Sequence, residues 1–260
     1  MTKSLLIIAN WKMYLSYQQT ITLCTQQKED LISCVATTPH KLIVCPILPA
    51  INELTTLISH SQINFGAQTC SPHKLGAYTG EIDAQSLSEL GCTYCIIGHS
   101  ERRHYHHETN DIVAQQAMRL IEQGITPIFC VGETLDEKKL NQTLQVVQHQ
   151  VEPMFQAIKQ AQKISSRLTI AYEPIWAIGS NQIPEIKDIE TAVAAIKSLG
   201  QEILPEIDIS CLYGGSVDEN SIKTLKSLKY LDGFLIGRAS LDFQRLQKIV
   251  SWFKQPGHGE

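Results

Sequence analysis

Eight short apolar, β-branched runs punctuate the chain at nearly even spacing: Leu5–Ala9, Leu42–Cys45, Ile63–Ala67, Tyr94–Ile97, Ile125–Val131, Leu168–Tyr172, Ile207–Leu212 and Gly233–Ile236. Most lack polar alternation, which suits strands covered on both faces of a parallel sheet. Between them lie stretches with helical periodicity, among them Asp111–Gln123, Leu140–Gln162, Ile186–Leu204 and Glu219–Leu228. Pro46, Pro49, Gly91, Gly124, Pro174 and Gly200 sit at the junctions. Eight units in 260 residues come to about 32 residues each, enough for a strand, a helix and their loops. Unbroken strand–helix alternation predicts one α/β domain over residues 1–260, with Lys254–Glu260 frayed. Eight units fit a closed, eight-stranded parallel (β/α)8 barrel. A doubly wound open sheet is the alternative, but no G-x-G-x-x-G follows the first run, where a dinucleotide fold would carry it.

Composition narrows the function classes. Hydrophobic residues make up 43% and charged residues 18%, enough apolar material for a large core and too little charge for disorder. Lys and Arg number 22 against 26 Asp and Glu, a formal charge of −4, so a nucleic-acid partner is not expected. No run approaches the ~20 apolar residues of a membrane span, and the first is too short for a signal-peptide core. The 8 cysteines are therefore expected as reduced, buried thiols of a cytoplasmic protein. Cys92 and Cys95 form a C-x-x-C inside an apolar run with no second pair, and His104, His106 and His107 lack a carboxylate to close a site. Neither predicts a metal.

A barrel carries its chemistry at the C-terminal ends of its strands. Here the first run ends in Asn10-Trp11-Lys12, the fourth in Gly98-His99-Ser100-Glu101-Arg102-Arg103 and the sixth in Glu173-Pro174. The seventh ends in Tyr213-Gly214-Gly215-Ser216 and the eighth in Gly237-Arg238. A cation, an imidazole, a carboxylate and two glycine-bearing turns thus meet on one rim. Glycine lets backbone N–H groups approach an anion, and a helix N-terminus adds partial positive charge, so the last two turns read as a phosphate site. Ser100 is positioned to cap a short helix starting at Glu101, which favours a neutral His99 beside that N-terminus. The apolar loop Pro174-Ile175-Trp176-Ala177-Ile178-Gly179-Ser180 stands where a helix should begin. It reads as a lid that buries its apolar surface on closing over substrate, or as a loop packed permanently on a neighbour.

Several strings together resemble the triosephosphate isomerase family: Asn10-Trp11-Lys12-Met13, Ile96-Ile97-Gly98-His99-Ser100-Glu101-Arg102-Arg103, Cys130-Val131-Gly132-Glu133, Ala171–Gly179 and Tyr213-Gly214-Gly215-Ser216-Val217. The likeness covers nearly the whole chain in order and spacing. It implies interconversion of dihydroxyacetone phosphate and D-glyceraldehyde 3-phosphate, with no cofactor and no metal. It implies Glu173 as the base, His99 as the electrophile and Lys12 as the cation facing an anionic substrate. Asn10 would hold Lys12 and the substrate oxygens in register, and Glu101 would support them from behind. Gly179, Ser216, Gly237 and the N–H of Arg238 would bind the phosphate. Phe65–Gln68 and Gly76–Glu81 resemble the family's dimer loop, which implies a homodimer. In it Thr79 would reach the partner's Asn10 and Lys12 region, and Glu81 would pair with Arg102 of the partner subunit.

Two places depart from the family pattern. Gly237-Arg238 replaces a Gly-Gly pair, so the Arg238 side chain either crowds the phosphate, contacts it or points to solvent. Ser180-Asn181-Gln182 replaces the usual Thr-Gly-Lys of the lid hinge. These changes leave a related isomerase of a four-carbon ketose phosphate as the alternative reading. An aldolase would need a lysine inside the barrel, a metal-dependent epimerase more His and Asp at strand ends. A barrel kept only for binding would not need Lys12, His99 and Glu173 together.

Overall fold

The computed structural model describes residues 4–59, 61–161, 167–180 and 182–253. The expected frayed tail Lys254–Glu260, the hinge residue Asn181 and Gln162 lie outside them.

All eight predicted runs are strands: β1 (Leu6–Asn10), β2 (Lys41–Cys45), β3 (Ile63–Ala67), β4 (Cys92–Ile97), β5 (Thr126–Val131), β6 (Arg167–Tyr172), β7 (Asp208–Tyr213) and β8 (Gly233–Ile236). They pair in chain order, each parallel to the next, and β8 closes on β1 with Ala9 opposite Ile236. The open-sheet alternative is thereby excluded. Two apolar layers follow from the pleat. Ile8, Ile43, Cys45, Ile96, Ile128, Cys130, Ala171, Leu212 and Leu235 fill the barrel. Their outward neighbours, such as Ile7, Val44, Ile97, Phe129 and Ile170, join the larger core under the helices. Burying each large aliphatic side chain is worth about 1.5–3 kcal/mol. Every cysteine is buried, including Cys92 and Cys95 in β4.

The helices differ from the periodicity in two places. The stretch expected as a helix over Leu140–Gln162 holds one, Thr143–Ala161, preceded by a short helix, Leu135–Lys139, that the periodicity did not mark. Asn141 between them has φ +56°, a left-handed conformation that ends an α-helix. A Thr134–Glu137 capping box starts the first of the two. The stretch Glu219–Leu228 shortens to Ile222–Leu225. Asp218 is the cause: its carboxylate accepts the N–H groups of Asn220 and Ser221, both at 2.8 Å, and holds a bend where a first turn would form. No helix among the described residues is long and apolar enough to cross a membrane.

Candidate active site

Side chains alternate between the faces of a strand, so the parity of the core decides what enters the barrel mouth. Ile8, Ile96, Cys130, Ala171, Leu212 and Leu235 point inward. Two residues beyond each come Asn10, Gly98, Gly132, Glu173, Gly214 and Gly237. A carboxylate therefore enters the mouth from β6 with glycines on both neighbouring strands. At Gly214 that absence of a side chain is required: a Cβ there would lie 2.6 Å from Cγ of Glu173 and 3.0 Å from its Oε1. Gly98 turns with φ +63°, packed so closely against Arg103, Val113 and Phe129 that no side chain fits, and this turn aims His99 at the pocket.

His99, Glu173 and Asn10 are all buried. His99 Nε2 stands 3.7 Å from Glu173 Oε1, while Glu173 Oε2 has no hydrogen-bond partner among the described residues. The helix after β4 runs Ser100–Tyr105, and its cap corrects the sequence reading. Ser100 is the first helical residue; the cap is His99 itself, whose Nδ1 accepts the N–H of Glu101 at 3.2 Å. A ring nitrogen that accepts carries no proton, so this bond fixes a neutral ring with its hydrogen on Nε2, facing Glu173.

Lys12 has a strained backbone, φ +49°, a conformation that costs a non-glycine residue about 1–3 kcal/mol. Its own N–H donates to Asn10 Oδ1 at 3.1 Å, and the Gln68 amide donates to the carbonyls of Lys12 and Cys45 at 2.9 and 3.0 Å. Gln68 is a positioning residue that the sequence reading placed only in the dimer loop, although it ends the third run as Asn10 ends the first. The Lys12 ammonium reaches Glu101 Oε1 at 2.7 Å, with the other Glu101 oxygen 3.7 Å from His99 Nδ1. Burial, and then the Glu173 carboxylate, hold the thiol of Cys130 well above its ordinary pKa, so it stays a neutral neighbour of the base.

These groups surround a cavity of about 320 Å³ lined by Asn10, Lys12, Tyr14, His99, Glu173, Ile178, Gly179, Gly214, Gly215, Ser216, Val217, Asp218, Leu235, Gly237, Arg238, Ala239 and Arg245. The expected phosphate turns form its far end. After β8 the chain makes a 3₁₀ turn, Arg238–Leu241, and not a long helix. The loop expected as a lid begins as another 3₁₀ turn, Ile175–Ala177. Pro174 and Ala177 are buried, Ile175, Trp176 and Ile178 half-buried, Gly179 and Ser180 exposed. The buried carboxylate of Glu133 accepts the Trp176 indole N–H at 2.8 Å and the Tyr172 hydroxyl at 3.1 Å, and its main-chain carbonyl accepts the N–H of Ile175 at 2.9 Å. Thr79 and Glu81 lie on the exposed loop after β3, outside this cavity, and Arg102 pairs with Glu108 at 2.8 Å within the chain. His104, His106 and His107 are exposed.

A buried carboxylate, an imidazole and a lysine around one pocket at the mouth of a closed parallel barrel are the groups that an enzyme moving a proton beside a carbonyl requires. The comparisons with known proteins point to one family. The family model described as triosephosphate isomerase matches residues 5–253. The chain is 38% identical to the triosephosphate isomerase of Thermus thermophilus over 251 residues, 95% of this chain and 98% of that one. It is 39% identical to that of a Wolbachia of Brugia malayi over 95% of this chain and 97% of its relative. It is 36% identical to that of Ruthia magnifica over 95% and 98%. The chain belongs to the triosephosphate isomerase family, and its reaction is the interconversion of the two triose phosphates. The four-carbon alternative finds no support among these names.

Proposed function

We propose that the cavity at the barrel mouth performs this isomerisation with Glu173 as base, His99 as electrophile and Lys12 as the cation, within one domain spanning residues 1–260. Glu173 takes a proton from the carbon beside the substrate carbonyl, and the electron pair moves to the carbonyl oxygen. The Nε2–H of His99 donates to that oxygen as it becomes an enediolate, and the Lys12 ammonium stabilises the developing charge. Glu173 returns the proton to the neighbouring carbon while His99 passes its own between the two oxygens. Asn10 holds Lys12 in register. Gly179, Ser216, Gly237 and the N–H of Arg238 hold the phosphate, and Glu101 and Ser100 support the His99 turn. The lid excludes water, because an exposed enediol phosphate eliminates its phosphate. The observation that carries this reading is the buried, unpartnered Glu173 Oε2 beside a His99 whose tautomer presents a donor.

The test is a coupled isomerisation assay with a four-carbon ketose phosphate run in parallel. A kcat/KM on the triose approaching the diffusional ceiling of roughly 10⁸ M⁻¹s⁻¹ is expected. Glu173→Asp withdraws the carboxylate by one methylene and should lower kcat about 100-fold or more with an unchanged melting temperature. Full activity in that variant would remove Glu173 from the role of base.

We further infer a cytoplasmic homodimer. Met13 is 90% and Leu75 69% exposed, and Tyr14, Tyr17, Leu48 and Tyr78 are exposed as well. This apolar surface supports a two-fold partner, with Thr79 and Glu81 reaching across. Sedimentation equilibrium at micromolar protein should return twice the chain mass; a monomer would leave that surface unexplained.

A further inference from the structure

The phosphate end of the cavity holds three cationic side chains, and their situations differ. Lys12 is paired with Glu101. Arg245 is held by both oxygens of Glu219, its Nε and Nη2 each donating at 2.7 Å. That pairing raises the pKa of Arg245, and the hydrogen bonds from Arg245 are the leading cause that lowers that of Glu219. Arg238 is the third. It is exposed, has no carboxylate partner among the described residues, and lines the cavity beside Gly237. Its guanidinium Cζ stands 5.1 Å from the ring centre of Tyr14, which lines the same cavity.

Such a placement has a physical consequence. A guanidinium is weakly hydrated and stacks on an aromatic face, so Tyr14 orders it without neutralising it. An incoming phosphate must compete with Glu219 for Arg245 and with Glu101 for Lys12, but with no carboxylate for Arg238. The planar fork of arginine also matches two oxygens of a phosphate at once. We propose that the Arg238 side chain, held over Tyr14, is a specificity-determining residue that makes this site select ligands ending in a doubly charged phosphate. The proposal rests on the reading that phosphate binds between the Gly215–Ser216 and Gly237–Arg238 turns, and extends it from backbone to side chain.

The experiment measures binding and selectivity separately on the full chain. Inorganic phosphate is titrated by calorimetry into the wild type, Arg238→Gln, Arg238→Lys and Tyr14→Leu. For the same proteins, kcat/KM is measured for glyceraldehyde 3-phosphate and for glyceraldehyde, which has no phosphate, and the two are expressed as a ratio. Arg238→Gln should weaken phosphate binding and lower that ratio about tenfold, the scale of one charge-assisted bond. Arg238→Lys should recover part of the loss, having the charge without the fork. Tyr14→Leu, which keeps the arginine and removes its platform, should lose about threefold. An unchanged ratio and phosphate affinity in Arg238→Gln would overturn the proposal, and so would a gain, which would mean that the side chain crowds the ligand. Calorimetry needs no turnover. A protein that binds phosphate in this Arg238-dependent way yet fails to isomerise the triose would sink the functional reading and spare the arginine's role. A wild type that binds no phosphate would sink the proposal itself.

Discussion

At the scale of single residues, the catalytic groups depend on neighbours that have no side chain. Glu173 occupies space that a Cβ on Gly214 would take, 2.6 Å from Cγ and 3.0 Å from Oε1. Gly214 does not have a positive φ, so alanine is tolerated by its backbone and the whole effect falls on the carboxylate. Gly214→Ala should therefore displace the base while the barrel still folds. A shift near 1 Å costs on the order of 100-fold in rate. Steady-state kinetics should show that loss in kcat, with KM for the triose phosphate changed far less. A drop in KM-driven affinity alone would mean that Gly214 serves the phosphate and not the base. His99 makes a related point. Its cap on the Ser100–Tyr105 helix joins a ring nitrogen to an N–H two residues on, at 3.2 Å, and so sets which nitrogen donates to substrate.

At the scale of elements, the strands were readable because each is buried on both faces, which leaves an apolar run in the sequence whatever its neighbours are. The strand ends were readable for the same reason: polar residues or glycine abruptly stop those runs at Asn10, Glu173 and Gly214. The short helix Leu135–Lys139 and the bend after Glu219 were not: the first is too short to show a period, and the Asp218 carboxylate overrides the periodicity at the second. Nor were the straps. Gln68 reaches the carbonyl of Lys12, 56 positions away, and Glu133 reaches Trp176, 43 positions away; such pairs exist only once the barrel has closed. The Glu133 contact sets a testable property of the lid. Trp176→Phe keeps an aromatic ring, though a smaller one, and removes the indole N–H, which leaves one oxygen of a fully buried carboxylate short of a donor. The cost should be about 1–3 kcal/mol, borne where the lid meets the barrel. Inorganic phosphate released per turnover should rise severalfold, since a looser lid admits water to the enediol phosphate. Unchanged phosphate release would mean that the indole N–H contributes nothing to closure.

At the scale of the whole molecule, the buried thiols give the fold an alkaline limit. All eight cysteines are buried. Burial pushes Cys24 and Cys92 up to about 12, and Cys45, Cys95 and Cys130 higher still or in the same direction. In the unfolded chain a thiol ionises near pH 8.5. A folded pKa raised above the unfolded one gives stability that is complete below the unfolded value and is lost as pH rises toward the folded value. Between about pH 8.5 and 12 the unfolded chain releases protons that the folded one keeps, and each such thiol draws the equilibrium toward unfolding by about 1.4 kcal/mol per pH unit. Buried tyrosines act in the same direction at higher pH: burial raises both Tyr172 and Tyr213, with Glu133 adding to each. The melting temperature should accordingly fall steeply from pH 8 to pH 10 in reducing buffer. Replacing Cys24 and Cys92 by alanine should flatten the slope by about two protons, which separates thiol ionisation from general alkaline repulsion. A thiol reagent at pH 8 should find no fast-reacting cysteine in the folded protein and all eight once guanidinium unfolds it. A flat melting profile, or fast labelling without unfolding, would show that water reaches the thiols of the strands and that the barrel interior is not the dry core its packing describes.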